Sequence, residues 1–257
     1  MLNFKIASLC FVIESITIGL LYYFLGISLW WFLIPVLIYK ALIIYGSANI
    51  QSNFYSKAYC SAITEEKIIA LTFDDGPNPV HTPKVLSILA EENVSATFFV
   101  IGKNIQGNEN LIKKINAAGH TIGNHTFSHS FFIDFKSKTG FMYELDATSD
   151  LVYNIIQKRM KFFRPPYGVT TPHLARASKA LNYDIIGWNI RSLDTTNDTE
   201  ERIANRVISQ IKPGAIVLFH DTSEKTVQVL KQTLNFAKEN GFKIVSVEEL
   251  LKLKAYG

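Results

Sequence analysis

The apolar residues of this chain follow one pattern near the N-terminus and another in the remainder. The first 45 residues are almost continuously apolar and carry only three charges, at Lys5, Glu14 and Lys40. From Lys67 onward, short apolar runs alternate with segments whose apolar residues recur at helical spacing. A polar stretch from Gly46 to Ser56 separates the two patterns. The sequence therefore indicates an apolar N-terminal segment followed by one folded domain.

The N-terminal segment is long enough to cross a bilayer twice. Its apolar stretch runs from Phe4 to Tyr45, and one helix across the hydrocarbon core needs about 20 residues. We predict one span from Ile6 to Leu25 and a second from Ser28 to Tyr45, with Gly26 in the connection. The alternative is a cleaved signal peptide, but the stretch is too long for one and shows no small-residue cleavage site. The sequence favours a membrane anchor over residues 1–46.

The rest of the chain is predicted to be a linker over residues 47–66 and an α/β domain over residues 67–257. Seven runs have the character of strands: KIIALTF, VSATFFVIG, HTIGNH, MKFFRPP, YDIIGWNI, GAIVLFH and FKIVSV. Six segments have helical spacing: TPKVLSILAEE, NENLIKKINAAG, FMYELDATSDLVYNIIQ, TPHLARASKALN, TEERIANRVISQI and TVQVLKQTLNFAKENG. This alternation predicts a parallel sheet with helices outside, as a barrel or as an open doubly wound sheet.

Charge and cysteine content add little to this picture. The formal net charge is +4 and the isoelectric point is near 8.9, yet no basic run stands out, so we predict no nucleic-acid partner. Cys10 lies within the first predicted span and Cys60 lies beyond the second. The two cysteines therefore do not indicate a disulfide framework.

Side chains suited to catalysis collect where the predicted strands end. They are Asp74 and Asp75 after the first strand, His125 and His129 after the third, Arg164 after the fourth, Asp194 after the fifth and His220 at the end of the sixth. The carboxyl ends of parallel strands share one face, and active sites of α/β folds are built there. We therefore expect these distant residues to converge.

Two of these groups suggest a metal centre. His125 and His129 are four residues apart, so their imidazoles can be aimed at one point, and two imidazoles with one carboxylate make a zinc site that keeps an open position. The adjacent Asp74 and Asp75 could merely shape the turn before Gly76, but a turn needs only one aspartate. A division of labour explains the pair, with one carboxylate on the metal and the other free as a base.

Five short motifs resemble those of a known family. TFDDGP, HTFSH, RPPYG, WNIRSLD and VLFHD occur in the order and approximate spacing of the motifs of the polysaccharide deacetylases, carbohydrate esterase family four, also called the NodB-homology domain. The resemblance covers about Lys67 to Leu250. It implies a distorted (β/α) barrel with about seven strands, in agreement with the strand count above.

The resemblance also implies a role for each motif residue. Asp75, His125 and His129 match the ligands of a divalent metal, usually zinc, and Asp74 matches the general base. Arg164 matches the arginine that pairs with the base, and Tyr167 matches the residue whose backbone N–H stabilises the oxyanion. His220 matches the general acid, and Asp194 matches the aspartate that orients that histidine. Leu218 matches a wall of the acetyl pocket.

The fourth motif departs from the family pattern. Thr195 occupies the position of a usual tryptophan, and Asn189 stands near the position of a usual aspartate. Trp188 is expected either to supply an aromatic wall for the substrate or to be a buried core residue. This departure concerns the sugar subsite and leaves the catalytic residues in place.

The function implied by the resemblance is metal-assisted hydrolysis of an N-acetyl group on an amino-sugar polymer, with peptidoglycan as the leading substrate. Chitin oligomers and lipid-linked amino sugars are alternatives. A different class of protein, a catalytically silent glycan-binding or scaffold protein, is disfavoured because no ligand, base or acid is missing. An external polymer requires the domain outside the membrane, whereas Lys5, Lys40 and Lys57 slightly favour a cytoplasmic domain by the positive-inside rule. A bias of so few lysines is weak, so we expect the catalytic domain on the extracytoplasmic side.

Overall fold

One sheet of nine parallel strands forms the centre of the domain in this computed structural model, which describes residues 2–257. The strands are β1 Ala58–Tyr59, β2 Ile68–Asp74, β3 Thr97–Val100, β4 Thr121–Asn124, β5 Phe162–Phe163, β6 Asp184–Ile186, β7 Ile190–Arg191, β8 Ile216–His220 and β9 Lys243–Val245. Their order is β1-β6-β5-β4-β3-β2-β8-β7, and β9 pairs with the first half of β2. β6 and β7 lie near opposite ends of this order but are separated by only three residues along the chain, so this segment joins the two ends of the sheet into a distorted barrel.

The alternation of side chains along the central strand β2 separates two cores. Ile69, Leu71 and Phe73 belong to a large outer cluster beneath the helices, whereas Ala70 belongs to a smaller inner cluster. Successive residues of a strand point to opposite faces, so Asp74 shares the inner face with Ala70. Both faces of β2 are buried, which explains why all of its residues except Thr72 and Asp74 are apolar.

Eight helices follow the N-terminal hairpin and flank the sheet. They are α3 Thr82–Glu91, α4 Gly102–Ile105, α5 Glu109–Ala117, α6 Lys138–Ile156, α7 Pro172–Ala180, α8 Glu200–Ile208, α9 Glu224–Glu239 and α10 Val247–Leu251. Thr171, Thr199 and Ser223 cap the first turns of α7, α8 and α9 by accepting a backbone N–H bond. All six predicted helices are present, and α4 and α10 are additional.

The segment YDIIGWNI, predicted as one strand, forms two. β6 ends at Ile186 and β7 begins at Ile190, and the residues between them leave the ladder. The Gly187 N–H donates to Tyr59 of β1, and the Gly187 carbonyl accepts from the buried guanidinium of Arg164. The strand breaks because the carbonyls of Ile186 and Gly187 accept from the arginine instead of from a neighbouring strand.

The first two helices form an antiparallel hairpin. α1 Phe4–Leu25 and α2 Leu33–Ala48 are joined by a short 3₁₀ turn, Leu29–Phe32. α1 and the helical segment Leu29–Ala48, which includes the turn, are long and apolar enough to cross a membrane. They contact each other where Tyr39 stacks on Phe11 at 4.6 Å between ring centroids and its hydroxyl lies 2.8 Å from Ser8 Oγ. The rest of their apolar surface is largely exposed, because only 6% and 11% of the two apolar windows are buried within the protein.

Residues 47–66, predicted as a linker, are folded onto the domain. Ile50 and Phe54 are buried, and β1 extends the sheet. The Thr170 N–H donates to the Ser47 carbonyl at 3.0 Å, and the Phe4 N–H donates to the Phe54 carbonyl at 2.9 Å. The hairpin is thus packed against the domain instead of being joined to it by a free segment.

Candidate active site

The predicted catalytic residues converge at the carboxyl ends of the central strands. Asp74, at the end of β2, is the direct register partner of His220, at the end of β8. Asn124, which ends β4, is the partner of Phe163, the residue before Arg164. This register brings the loops after β2, β4 and β5 to the same face as the end of β8. Strand order therefore accounts for the convergence that the sequence predicts.

Asp75, His125 and His129 form a compact set of potential metal ligands. The Nε2 atom of His125 lies 3.5 Å from Asp75 Oδ1, and that of His129 lies 3.4 Å from the same oxygen. One ligand atom from each residue lies within 4.8 Å of the others. Asp75 and His129 both adopt left-handed backbone conformations, with φ of 71° and 45°, which turn their side chains towards each other.

The donor set fits a divalent metal. Asp75 Oδ1 is buried without a hydrogen-bond partner in the described structure, as expected of an oxygen that has a cation as its partner. His125 Nδ1 lies 2.7 Å from the Arg164 carbonyl, which can accept only from an N–H, so the Nε2 lone pair faces Asp75. One carboxylate and two imidazoles are ligands that zinc accepts.

Electrostatics keep Asp75 and His129 in protonation states that suit metal binding. Burial raises the pKa of Asp75, but the adjacent imidazoles, first of all that of His125, outweigh it and hold that pKa below its usual range. Burial, followed by the charge of His125, lowers the pKa of His129 to about 4. At neutral pH the site thus offers an anionic oxygen and a neutral His129.

Asp74 is held by a buried ion pair. Arg164 is fully buried, and its Nη1 donates to Asp74 Oδ1 at 2.8 Å and to Thr72 Oγ1 at 2.6 Å. Its Nε and Nη2 donate to the carbonyls of Ile186 and Gly187 at 3.1 and 2.8 Å. These four bonds fix the guanidinium, and the guanidinium in turn orients the Asp74 carboxylate. A carboxylate bound in this way is oriented to accept a proton.

Arg164 also connects the ion pair to the metal ligands. Its side chain binds Asp74, while its carbonyl accepts from His125. The second oxygen of Asp74, Oδ2, lies 3.8 Å from His125 Nε2. The base candidate and the ligand set are therefore adjacent and are positioned by one residue.

Asp194 orients His220 and raises the pKa of its imidazole. Its Nδ1 donates to Asp194 Oδ1 at 2.7 Å, and its backbone N–H donates to Oδ2 at 2.8 Å. Burial alone would lower the pKa of His220, but the hydrogen bond with Asp194 and the charges of Asp194, Asp74 and Asp75 raise it to about 9. His220 is thus protonated at neutral pH, as a general acid must be.

The three predicted substrate residues occupy different environments. Tyr167 has a left-handed backbone with φ of 58°, its side chain is 45% exposed, and its ring lies 4.8 Å from that of His129. Leu218 is buried in the inner core together with Trp188. The guanidinium of Arg164 lies 5.5 Å from the Trp188 ring, so this tryptophan helps to bury the ion pair. Contact of Trp188 with substrate stays a prediction.

The departures in the fourth motif are explained by position. The side-chain oxygen of Asn189 accepts the Ile216 N–H at 2.8 Å, at the start of β8, so this residue joins β7 to the sheet at the end remote from His220. Thr195 is exposed at the surface beside the buried Asp194.

Several supporting residues were not identified from the sequence. Thr72 lies between Arg164 and the Val217 carbonyl, Ser192 and Thr226 donate to Asp194, and Glu144 accepts from the backbone N–H groups of Phe127 and Ser128 in the histidine loop. Thr72 lies two residues before Asp74, so strand alternation alone could have identified it. Glu144 and Thr226 lie on helices far along the chain, where no sequence pattern indicates such contacts.

Comparison with known proteins agrees with this geometry. A family model described as polysaccharide deacetylase matches residues 61–186. A peptidoglycan-N-acetylglucosamine deacetylase of Bacillus cereus is 36% identical over 204 residues, which cover 74% of this chain and 90% of the relative. A peptidoglycan-N-acetylmuramic acid deacetylase of Bacillus subtilis is 35% identical over 194 residues, which cover 73% of each protein.

A solved structure is similar over the same region. The crystal structure of a peptidoglycan N-acetylglucosamine deacetylase has a TM-score of 0.74 and 29% identity, covering 77% of this chain and 94% of that one. Fold and relatives together define a hydrolase of amide C–N bonds on a distorted parallel α/β barrel. The chain belongs to the polysaccharide deacetylase family, which confirms the fold and the family predicted from its five motifs.

Proposed function

We propose that this protein is a metal-dependent N-deacetylase of amino sugars in peptidoglycan. The observation that carries the proposal is the juxtaposition of a carboxylate base candidate, a three-residue ligand set and a protonated histidine on one face of the barrel. The relatives named as peptidoglycan deacetylases support the choice of polymer. Chitin oligomers and lipid-linked amino sugars remain the alternative substrates.

Each residue has a task in amide hydrolysis. Asp75, His125 and His129 would hold a divalent metal, for which we propose zinc, and such an ion polarises the amide carbonyl and acidifies water. Asp74, oriented by Arg164, accepts the proton of the attacking water. His220, charged through Asp194, donates a proton to the departing amine nitrogen. The Tyr167 N–H is proposed to donate to the oxyanion, and Leu218 to line the acetyl pocket.

The assignment is tested with the full chain in detergent. Peptidoglycan fragments and chitooligosaccharides are incubated with the protein, and mass spectrometry follows the loss of an acetyl group and the release of acetate. Activity that disappears on chelation and returns with zinc supports the proposal. A zinc-loaded protein that is inert towards every N-acetylated sugar would favour the silent glycan-binding alternative.

We further propose that the N-terminal hairpin anchors the protein in a membrane. Two antiparallel spans place the N-terminus and the domain on the same side, and an external polymer requires that side to be outside the cell. A protease added to spheroplasts should then digest the domain beyond Gly46. Digestion only after lysis would place the domain in the cytoplasm and would favour a lipid-linked or soluble substrate.

A further inference from the structure

A basic cavity lies where the hairpin meets the domain, on a different part of the surface from the catalytic residues. It has a volume of about 1090 Å³, and none of the catalytic or ligand residues lines it. Its walls come from the start of α1, from the segment around Phe54 and β1, and from α7 with the start of β6. Four cations line it: Lys5, Lys57, Arg176 and Lys179. We call this the junction cavity.

The cations of the junction cavity are available to a ligand. All four are exposed, and within residues 2–257 none of them forms an ion pair with a carboxylate. Lys57 lies 4.2 Å above the Tyr59 ring, and Arg176 binds the Pro172 carbonyl at 3.1 Å. The only carboxylate among the described lining residues is that of Asp184. The cavity therefore holds an excess of about three positive charges at neutral pH.

The position of the cavity relates it to the proposed anchor. Lys5 belongs to the first turn of α1, which has 22 residues and is thus about 33 Å long. A hydrocarbon core is about 30 Å thick, so the first turn of a spanning α1 lies at the level of the lipid headgroups. At the other end of the hairpin Trp30 and Trp31 are 76% and 55% exposed, as is typical of residues at the opposite interface.

We propose that the junction cavity binds the headgroup of an anionic phospholipid in the leaflet next to the domain. The phosphate of such a lipid provides the negative charge that the unpaired cations require. The two acyl chains of the lipid can lie along the exposed apolar surface of α1. Lysines and arginines at a membrane surface attract anionic lipids with about 1 kcal/mol each. This inference rests on the proposed membrane anchor, not on the deacetylase activity.

The test uses the full chain, delipidated in detergent, and native mass spectrometry. Phosphatidylglycerol and phosphatidylcholine with identical acyl chains are added separately, and the bound fraction is measured. Wild type should bind phosphatidylglycerol about tenfold more tightly than phosphatidylcholine. The variant Arg176→Gln/Lys179→Gln should lose most of this preference. The control Lys113→Gln/Lys114→Gln removes two exposed cations of α5, remote from the cavity, and should keep it.

Three results would overturn the proposal: equal binding of the two lipids by wild type, equal loss in the control variant, or displacement of phosphatidylglycerol by inorganic phosphate at similar concentration. The last would identify the free anion as the ligand. If circular dichroism shows that the α7 variant is unfolded, Lys5→Gln/Lys57→Gln tests the facing wall of the cavity. Protease accessibility in spheroplasts tests the anchor separately, so the two failures are distinguishable.

Discussion

Replacing Asp194 by Asn should shift the alkaline limit of activity. The carboxylate accepts four hydrogen bonds: two from His220, one from Ser192 Oγ at 2.9 Å and one from Thr226 Oγ1 at 2.7 Å. An amide of the same shape removes the negative charge and can accept only at its oxygen. The substitution therefore tests whether this charge makes His220 an acid at neutral pH.

The size of the effect follows from the pKa of His220. That pKa is raised to about 9 although burial alone would lower it, and Asp194 is the main cause of the increase. Arg164 and a bound cation would compensate Asp74 and Asp75, so without Asp194 the pKa should fall to about 6.5 or below. At pH 7.5 the protonated fraction then drops from about 97% to about 9%, which is roughly tenfold.

The assay measures kcat/KM against pH on a chitooligosaccharide, with the new amine detected by a fluorescent reagent. Wild type should lose activity as the pH rises through about 9 or slightly below. Asp194→Asn should have most of its activity at pH 6 and should begin to lose it, as the pH rises, before pH 7. Ser192→Ala removes one hydrogen bond but no charge, so its profile should resemble that of wild type. An unchanged alkaline limb in Asp194→Asn would refute the assigned role of His220.

Five further substitutions separate the remaining roles. His125→Ala or His129→Ala should lower zinc content, measured by elemental mass spectrometry, and abolish turnover; full activity in either variant would exclude the metal mechanism. Asp74→Asn should keep zinc and lose about 10²-fold or more in rate, whereas Asp75→Asn should lose zinc, so equal zinc in both contradicts the division of labour. Arg164→Met leaves a buried carboxylate unpaired and should lower the free energy of unfolding by about 3–5 kcal/mol in urea denaturation; a change below about 1 kcal/mol would contradict the buried ion pair.

The sequence predicted most of the fold because strand and helix periodicities are local signals. β2 and β8 were recognised as apolar runs, and the residues at their ends were correctly expected to meet. The break between β6 and β7 could not be predicted, since it depends on Arg164, a residue of another loop, binding the Ile186 and Gly187 carbonyls.

Only the part of the candidate site that lies in local sequence motifs could be predicted. Its acids, bases and ligands lie in short motifs, whereas Glu144 supports the histidine loop from α6 through contacts that only tertiary structure creates. The segment 47–66 was expected to be a linker because it is polar. Its burial against the domain arises from a few apolar side chains, such as Ile50 and Phe54, that are too sparse to form a pattern.

The close packing of the hairpin against the domain limits how far the catalytic residues can move from the proposed anchor. Thr170 is bound to Ser47 at the end of α2, and Tyr167, beside His129, precedes Thr170 by three positions, about 10 Å of chain. An enzyme anchored as proposed would keep its reactive centre close to the bilayer. It would have no flexible linker that lets the domain reach further. Encounter with substrate would then be a two-dimensional search, governed by lateral diffusion of the enzyme beneath glycan chains that approach the lipid surface.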